Sequence, residues 1–239
     1  MQIIVSKNYI ELCNKVANFI VDEIKELSAP LLCFAGGDTP TGVYKNLVKL
    51  DQSGRGVFNQ ANFVGLDEWV GLNDEDSGSC RFTLNRDLYR PLNIKESKIH
   101  FFEGKGNDYS KQCEQLNNFI ENNGPINLAL LGIGVNGHIG FNEPGSSLES
   151  VARLVSLDEI TQNVGQKYFE TEQKLTQGIT LGLKQILETG VIILIASGLK
   201  KKPIIKELLT NKSFNPSVPV SSLWKHSNCH LFVDEEAFS

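Results

Sequence analysis

The chain has 239 residues, of which 41% are hydrophobic and 21% charged, enough apolar mass to bury a large core as one compact domain over residues 1–239 and too much for disorder. Its 23 basic and 28 acidic residues leave a net charge of -5, and the only basic run is Lys200, Lys201 and Lys202, which argues against a nucleic-acid partner. The longest apolar run, 191–196, falls far short of the ~20 residues of a membrane span, and residues 1–7 lack a signal-peptide pattern, so the expected address is cytoplasmic.

In chain order, short apolar runs alternate with amphipathic segments. That alternation predicts an α/β fold of Rossmann-like, doubly wound type: a mostly parallel sheet with helices on both faces. Over 7–27, Leu12, Val16, Phe19, Ile20, Ile24 and Leu27 recur three or four apart, the spacing of a helix burying one face, and Pro30 ends it. The run 31–35 reads as a buried strand closed by Gly36 and Gly37, and a helix should start near Pro40 with Val43, Tyr44, Leu47 and Val48 turned inward. Later strands are predicted at 62–66, 98–102, 127–131, 191–196 and 229–233. Helices are predicted at 80–89, 109–121, 174–187 and 201–209, with a short one at 220–225. The stretch 141–174, of mixed polarity, reads as a mobile flap over a site. Cys13, Cys33, Cys80, Cys113 and Cys229 are scattered singly and form no Cys-x-x-Cys pair, so they read as buried thiols with neither a disulfide framework nor a metal site.

Four segments carry candidate chemistry. Gly36-Gly37-Asp38-Thr39-Pro40 joins a predicted strand to a predicted helix, where free amides and the helix dipole suit a phosphate. The bland alternative is a turn with Thr39 as N-cap and Pro40 at the first helical position, and Asp38 repels an anion at close range. Asp67 and Glu68 follow at the end of the 62–66 strand; successive side chains alternate sides, so one carboxylate faces the ligand crevice and the other supports it. Gly132 to Pro144 opens as Gly-x-Gly-x-x-Gly after a strand, but Gly140, Pro144 and Gly145 leave no room for the helix that a dinucleotide fingerprint needs. What remains is a rigid glycine-rich loop presenting Asn136, His138 and Glu143, a histidine able to exchange protons near neutral pH beside a carboxylate. Finally, 197–202 places lysines at a strand end, where one can hold a phosphate as a point charge.

In their order along the chain these segments resemble the glucosamine-6-phosphate deaminase and isomerase family, over residues 31–233, with Gly132 to Pro144 the most specific match. Leu66-Asp67-Glu68-Trp69-Val70, the run 178–184 and the run 223–228 look most like the branch described as galactosamine-6-phosphate isomerases or deaminases. The resemblance implies that Asp67 moves the proton between C2 and C1 of the opened amino sugar. It implies His138 as the acid/base that opens the ring, Glu143 as its carboxylate partner, and Asn136 beside them. It places Gly37, Asp38 and Thr39 at the phosphate end, with Lys201 and Lys167 as its cations. The product implied is a ketose 6-phosphate plus ammonia, with no metal or nucleotide cofactor, an amino-sugar phosphate as small-molecule partner, and a homo-oligomer left open. Three residues depart from the family pattern: Asp38 replaces a small or hydroxyl residue, Lys167 an arginine able to make a bidentate fork, and Val135 a residue that is often basic. They allow a non-catalytic sugar-phosphate sensor as one alternative; the other is a 6-phosphogluconolactonase-like lactone hydrolase, which shares the fold and the Gly-Gly-x-Thr-Pro loop at 36–40.

Overall fold

The computed structural model describes the backbone of residues 1–239 and every side chain except that of Arg55. In chain order the elements are β1 (Gln2–Ser6), α1 (Tyr9–Ile24), β2 (Leu31–Phe34), α2 (Thr41–Leu50), β3 (Asn62–Gly65), β4 (Asp67–Trp69), α3 (Cys80–Leu84), β5 (Ile99–His100), α4 (Tyr109–Asn123) and β6 (Leu128–Gly132). They continue with β7 (Arg153–Ser156), α5 (Glu159–Gly165), β8 (Gln177–Thr180), α6 (Leu183–Leu187), β9 (Val191–Ala196), α7 (Lys202–Thr210), β10 (Cys229–Asp234) and α8 (Glu235–Phe238).

Helix α1 starts where the Asn8 side chain accepts the Glu11 N–H, and of its predicted stripe Leu12, Val16, Ile20 and Ile24 are buried and Phe19 half-buried, while Leu27 lies past the helix end and is exposed. Seven strands form the main sheet in the order β1-β10-β9-β6-β2-β3-β5, with parallel pairing throughout. The inner strands β2, β6 and β9 are apolar on both faces because both faces are covered, whereas the edge strand β1 is largely exposed. Cys33, Leu131 and Leu194 pack with α4, α6 and α7, whereas Leu32, Phe34, Leu130 and Ile193 pack with α1 and α2. This is the doubly wound arrangement expected from the sequence. The chain runs outward from β2 through β3 to β5, then returns to β6 on the other flank of β2, so strand order reverses between β2 and β6. A crevice opens outside the carboxyl ends of strands at such a reversal.

The structure corrects several elements. No helix spans 174–187: residues Gln177–Thr180 form β8, the middle strand of an antiparallel sheet β4-β8-β7, and only Leu183–Leu187 is helical. Leu175, Ile179, Leu183 and Ile186 do fall at helical spacing, but Gly178 and Gly182 weaken a helix, and Ile179 and Thr180 pair better in a sheet. Strands β1, β4 and β7 were not signalled, and the 98–102 strand shrinks to Ile99–His100. Helix α2 begins at Thr41 with Pro40 as its N-cap and no side-chain cap, so Thr39 is not the cap. The stretch 141–174 does lie over the crevice, built as β7, α5 and a tight turn at Gln166–Tyr168. The five cysteines are free and buried. Among the described residues no helix is long and apolar enough to cross a membrane.

Candidate functional site

The loops leaving β2 and β6 meet at the reversal and wall a cleft that β4, α5 and the turn after α5 close from above. Asp67 lies in the cleft wall at the first position of β4, fixed by backbone pairing with Thr180 of β8. The residue is 8% exposed. Burial raises its pKa from 3.8 to about 6, against the opposing effects of the Cys80 thiol and the nearby His138. Glu68 points the other way and is fully buried. Its oxygens accept from Ser79 Oγ at 2.8 Å, Cys80 N–H at 3.1 Å and Arg81 N–H at 2.9 Å. It therefore pins the first turn of α3 to β4, and burial pushes its pKa up to about 7 in spite of those donors. The alternation expected of adjacent carboxylates is realised: Asp67 faces the cleft and Glu68 supports the wall.

The glycine-rich loop after β6 folds back on itself. Gly134 N–H donates to His138 O at 2.9 Å, and the imidazole lies flat over Gly134, where a Cβ would come within 2.4 Å of the ring. Gly140 adopts φ +56°, a conformation glycine takes without strain, and turns the chain so that Phe141 N–H reaches Thr180 Oγ1 at 3.1 Å. Asn142 is wholly buried, and its amide donates to Ile139 O and Leu181 O, tying the loop to the end of β8. Asn136, His138 and Glu143 are brought together as expected: Asn136 Nδ2 donates to Glu143 Oε2 at 2.9 Å, and His138 Nδ1 lies 3.6 Å from the same oxygen. Thr161 Oγ1, on α5, reaches that Nδ1 at 3.0 Å. With Nδ1 engaged, the Nε2 edge is left for a ligand. Burial would raise the pKa of Glu143, but the hydrogen bond and charge of His138, with help from Thr161 and Asn136, hold it below the usual carboxylate value.

The other end of the cleft carries the cations. Lys201 is the N-cap of α7 and turns inward, with Nζ donating to Ile133 O at 2.5 Å. Burial, reinforced by the charge of Lys167, lowers its pKa to about 8. Gly37, Asp38 and Thr39 line the same end. Asp38 does not repel everything near it: its carboxylate pairs with Lys167 Nζ at 2.8 Å, and that ammonium also sits 4.6 Å above the Tyr168 ring. All nine residues singled out in the sequence thus occur around one cleft, with Asn136 and Glu143 set behind His138 rather than in the wall. Sequence reasoning missed Thr161, Tyr168, Thr180 and Cys80. Thr161 lies on a segment with no motif, Tyr168 and Thr180 lie in or beside runs read for other reasons, and Cys80 read only as a buried thiol, whereas its neighbour is Asp67.

A family model described as glucosamine-6-phosphate isomerases/6-phosphogluconolactonase matches residues 7–232. A glucosamine-6-phosphate deaminase from Thermoanaerobacter sp. (strain X514) is 34% identical over 240 residues, covering 100% of this chain and 94% of the relative. One from Clostridium botulinum (type A, strain Hall) is 35% identical over 240 residues, covering 100% and 98%. Among solved structures, a monomeric glucosamine-6-phosphate deaminase superposes with a TM-score of 0.94 at 33% identity, over 99% of this chain and 98% of that one. A 6-phosphogluconolactonase from Trypanosoma brucei shares the fold, with a TM-score of 0.77 at 18% identity over 99% and 97%.

Proposed function

The chain belongs to the family of glucosamine-6-phosphate isomerases and 6-phosphogluconolactonases, and from that premise we propose that it is an amino-sugar phosphate isomerase/deaminase. It converts a hexosamine 6-phosphate and water to the ketohexose 6-phosphate and ammonia. The observation that carries the reading is the buried Asp67 carboxylate, its pKa raised to about 6, in one cleft with a histidine whose Nδ1 is held by Thr161 and Glu143.

The chemistry needs two proton-transfer groups, because the C2 proton is acidified only after the ring opens. His138, oriented by Glu143 and Asn136, moves the proton that opens the ring. Asp67 then removes the C2 proton and returns it to C1; a carboxyl with a pKa near the working pH can do both. The resulting ketose imine takes up water and releases ammonia. Lys201, Lys167 and the loop Gly37 to Thr39 hold the phosphate, fixing C2 against Asp67. Both helical layers pack on one sheet, which supports a single catalytic domain over the whole chain.

For the sugar, the run 178–184 favours galactosamine 6-phosphate, whereas the relatives at 34–35% identity carry the name glucosamine-6-phosphate deaminase. Side-by-side ammonia-release kinetics on the two sugars, with Asp67→Asn as control, test the proposal. Turnover of at least one sugar, lost in the variant, is the expected result. Hydrolysis of 6-phosphogluconolactone with no ammonia from either sugar, or tight sugar-phosphate binding without turnover, would overturn it.

A further inference from the structure

The loop at the cation end of the cleft offers fewer free donors than its place at a helix start suggests. Pro40 has no N–H, Thr41 N–H donates to Asp38 O at 3.2 Å, and Gly42 N–H donates to Tyr9 Oη at 2.9 Å. Tyr9 in turn donates to Thr39 O at 2.9 Å, so the Thr41 and Gly42 amides are committed to holding the loop. A phosphoryl group brings three strong acceptor oxygens, which calls for a side-chain donor beside the two lysines. The hydroxyl of Tyr168 faces this loop. Tyr168 ends the tight turn after α5 and lines the cleft, and its phenol tip lies against Gly37: a Cβ there would come within 3.0 Å of the hydroxyl oxygen. The turn that carries it is braced without that hydroxyl. Gln166 Nε2 donates to Gln173 O at 2.6 Å, Gln173 N–H donates to Gln166 Oε1 at 3.0 Å, and Phe169 packs edge-on against Trp69 with ring centroids 6.5 Å apart. Lys167 Nζ stands 4.6 Å above the phenol ring and 2.8 Å from the Asp38 carboxylate, so the ring also supports the cation.

We propose that Tyr168 is a phosphate-binding residue of this site: its hydroxyl reaches across Gly37 and donates a hydrogen bond to the phosphate of the sugar, so that the segment over the cleft and the loop after β2 grip the same group. The inference rests on the reading of this end of the cleft as the phosphate site. Burial holds the phenol above its usual pKa against the lowering effect of the Lys167 charge, so the group stays protonated and donates over the working pH range. Gly37, at φ +92°, lets the hydroxyl come this close, since any side chain there would meet its oxygen. Lys201 supplies charge as a point source. Tyr168 supplies a neutral donor of fixed direction, because the braced turn sets where its oxygen stands.

The test measures inorganic phosphate binding by calorimetry for wild type, Tyr168→Phe and Lys201→Met across a range of salt concentrations, with ammonia-release kinetics beside it. Phenylalanine keeps the ring under Lys167 and removes only the hydroxyl. Tyr168→Phe should bind phosphate about tenfold more weakly, the lower end for a hydrogen bond to a charged group, with KM for the sugar phosphate raised by a similar factor. Because the lost donor is neutral, its salt dependence keeps the wild-type slope, whereas that of Lys201→Met flattens. Wild-type phosphate affinity in Tyr168→Phe, while Lys201→Met binds weakly, would overturn the role of the hydroxyl alone. So would a weakening whose salt slope flattens, which assigns the loss to a displaced Lys167. Phosphate affinity that Lys201→Met leaves unchanged would overturn the reading of this end of the cleft. Phosphate binding as expected with no ammonia from either sugar would overturn the deaminase reading and leave the hydroxyl's role supported.

Discussion

Replacing Asp67 by asparagine should stabilise the free protein at neutral pH while abolishing turnover. Asp67 is 8% exposed, and among the described residues no N–H or O–H donor compensates the desolvation of its carboxylate; the thiol of Cys80 and the charge of His138 do so only in part. A rise in pKa from 3.8 to about 6 corresponds to about 3 kcal/mol at ~1.4 kcal/mol per unit. Because the group borders an open cleft that admits water, ~1–3 kcal/mol is the range to look for. Between these two pKa values the native carboxyl keeps a proton that the unfolded chain has released. Native stability therefore falls as pH rises through that window, and the cost stays in full above it. Asparagine carries no such cost. Urea unfolding of both proteins at about pH 4 and about pH 8 should give matching stabilities at the lower pH and a gain for the variant at the higher. In a thermal melt the gain reads as a few degrees, at ~2–4 °C per kcal/mol for a chain of this size. Glu68, whose pKa is also raised, adds its own pH dependence, but equally to both proteins, so the difference isolates Asp67. A variant that is less stable at the higher pH, or displaced equally at both, would refute the argument that Asp67 is held charged against its surroundings.

The remaining predictions concern the two ends of the cleft and the loop between them. His138→Gln should lower kcat by ~10²- to 10⁴-fold, the usual contribution of a positioned acid/base, with the sugar phosphate still binding in calorimetry. Lys201→Met should raise KM ~10- to 100-fold, the equivalent of a hydrogen bond to a charged group, and wild-type KM should climb as pH passes the lysine pKa of about 8. Asp38→Asn frees Lys167 from its 2.8 Å ion pair; inorganic phosphate should then inhibit ~2- to 5-fold more tightly, an advantage that high salt erases. Gly182→Ala should destabilise by more than ~2 kcal/mol in urea unfolding, since its Cβ would lie 1.9 Å from Ser150 O.

The inner strands of the parallel sheet were legible because they are short apolar runs buried on both faces, whereas its exposed edge strand β1 was not. The antiparallel sheet was not. Strands β4, β7 and β8 are 3 or 4 residues long, too short to show a period of two, and β7 and β8 lie inside segments that read as a flap and a helix. That small sheet places Asp67, through the pairing of Asp67 with Thr180. The residue could be picked out in the sequence, but not the reason it holds still. The glycine-rich loop was read correctly because its interruptions, Gly140, Pro144 and Gly145, exclude the helix that would have made it a nucleotide site. Contacts made across the fold left no trace: Thr161 lies 23 residues from His138, and Cys80 lies 13 residues from Asp67.

A net charge of -5 looks ill-suited to the anionic ligand proposed for this chain, and the distribution of charge removes the difficulty. Lys201 is the deeper cation, and burial lowers its pKa because water has been removed around it. The same burial strengthens its attraction for an arriving phosphate, whose charge restores what the lysine lost. Lys167 is at the mouth, half-exposed and already partnered by Asp38. On the proposed reading, a phosphate entering between them would exchange one anion for another at Lys167 and supply a missing one at Lys201. On this account the discrimination against neutral sugars resides in Lys201, and Asp38 sets how strongly Lys167 adds to it. The Asp38→Asn and Lys201→Met variants separate these contributions, because only the second should weaken the preference for a phosphorylated over an unphosphorylated amino sugar.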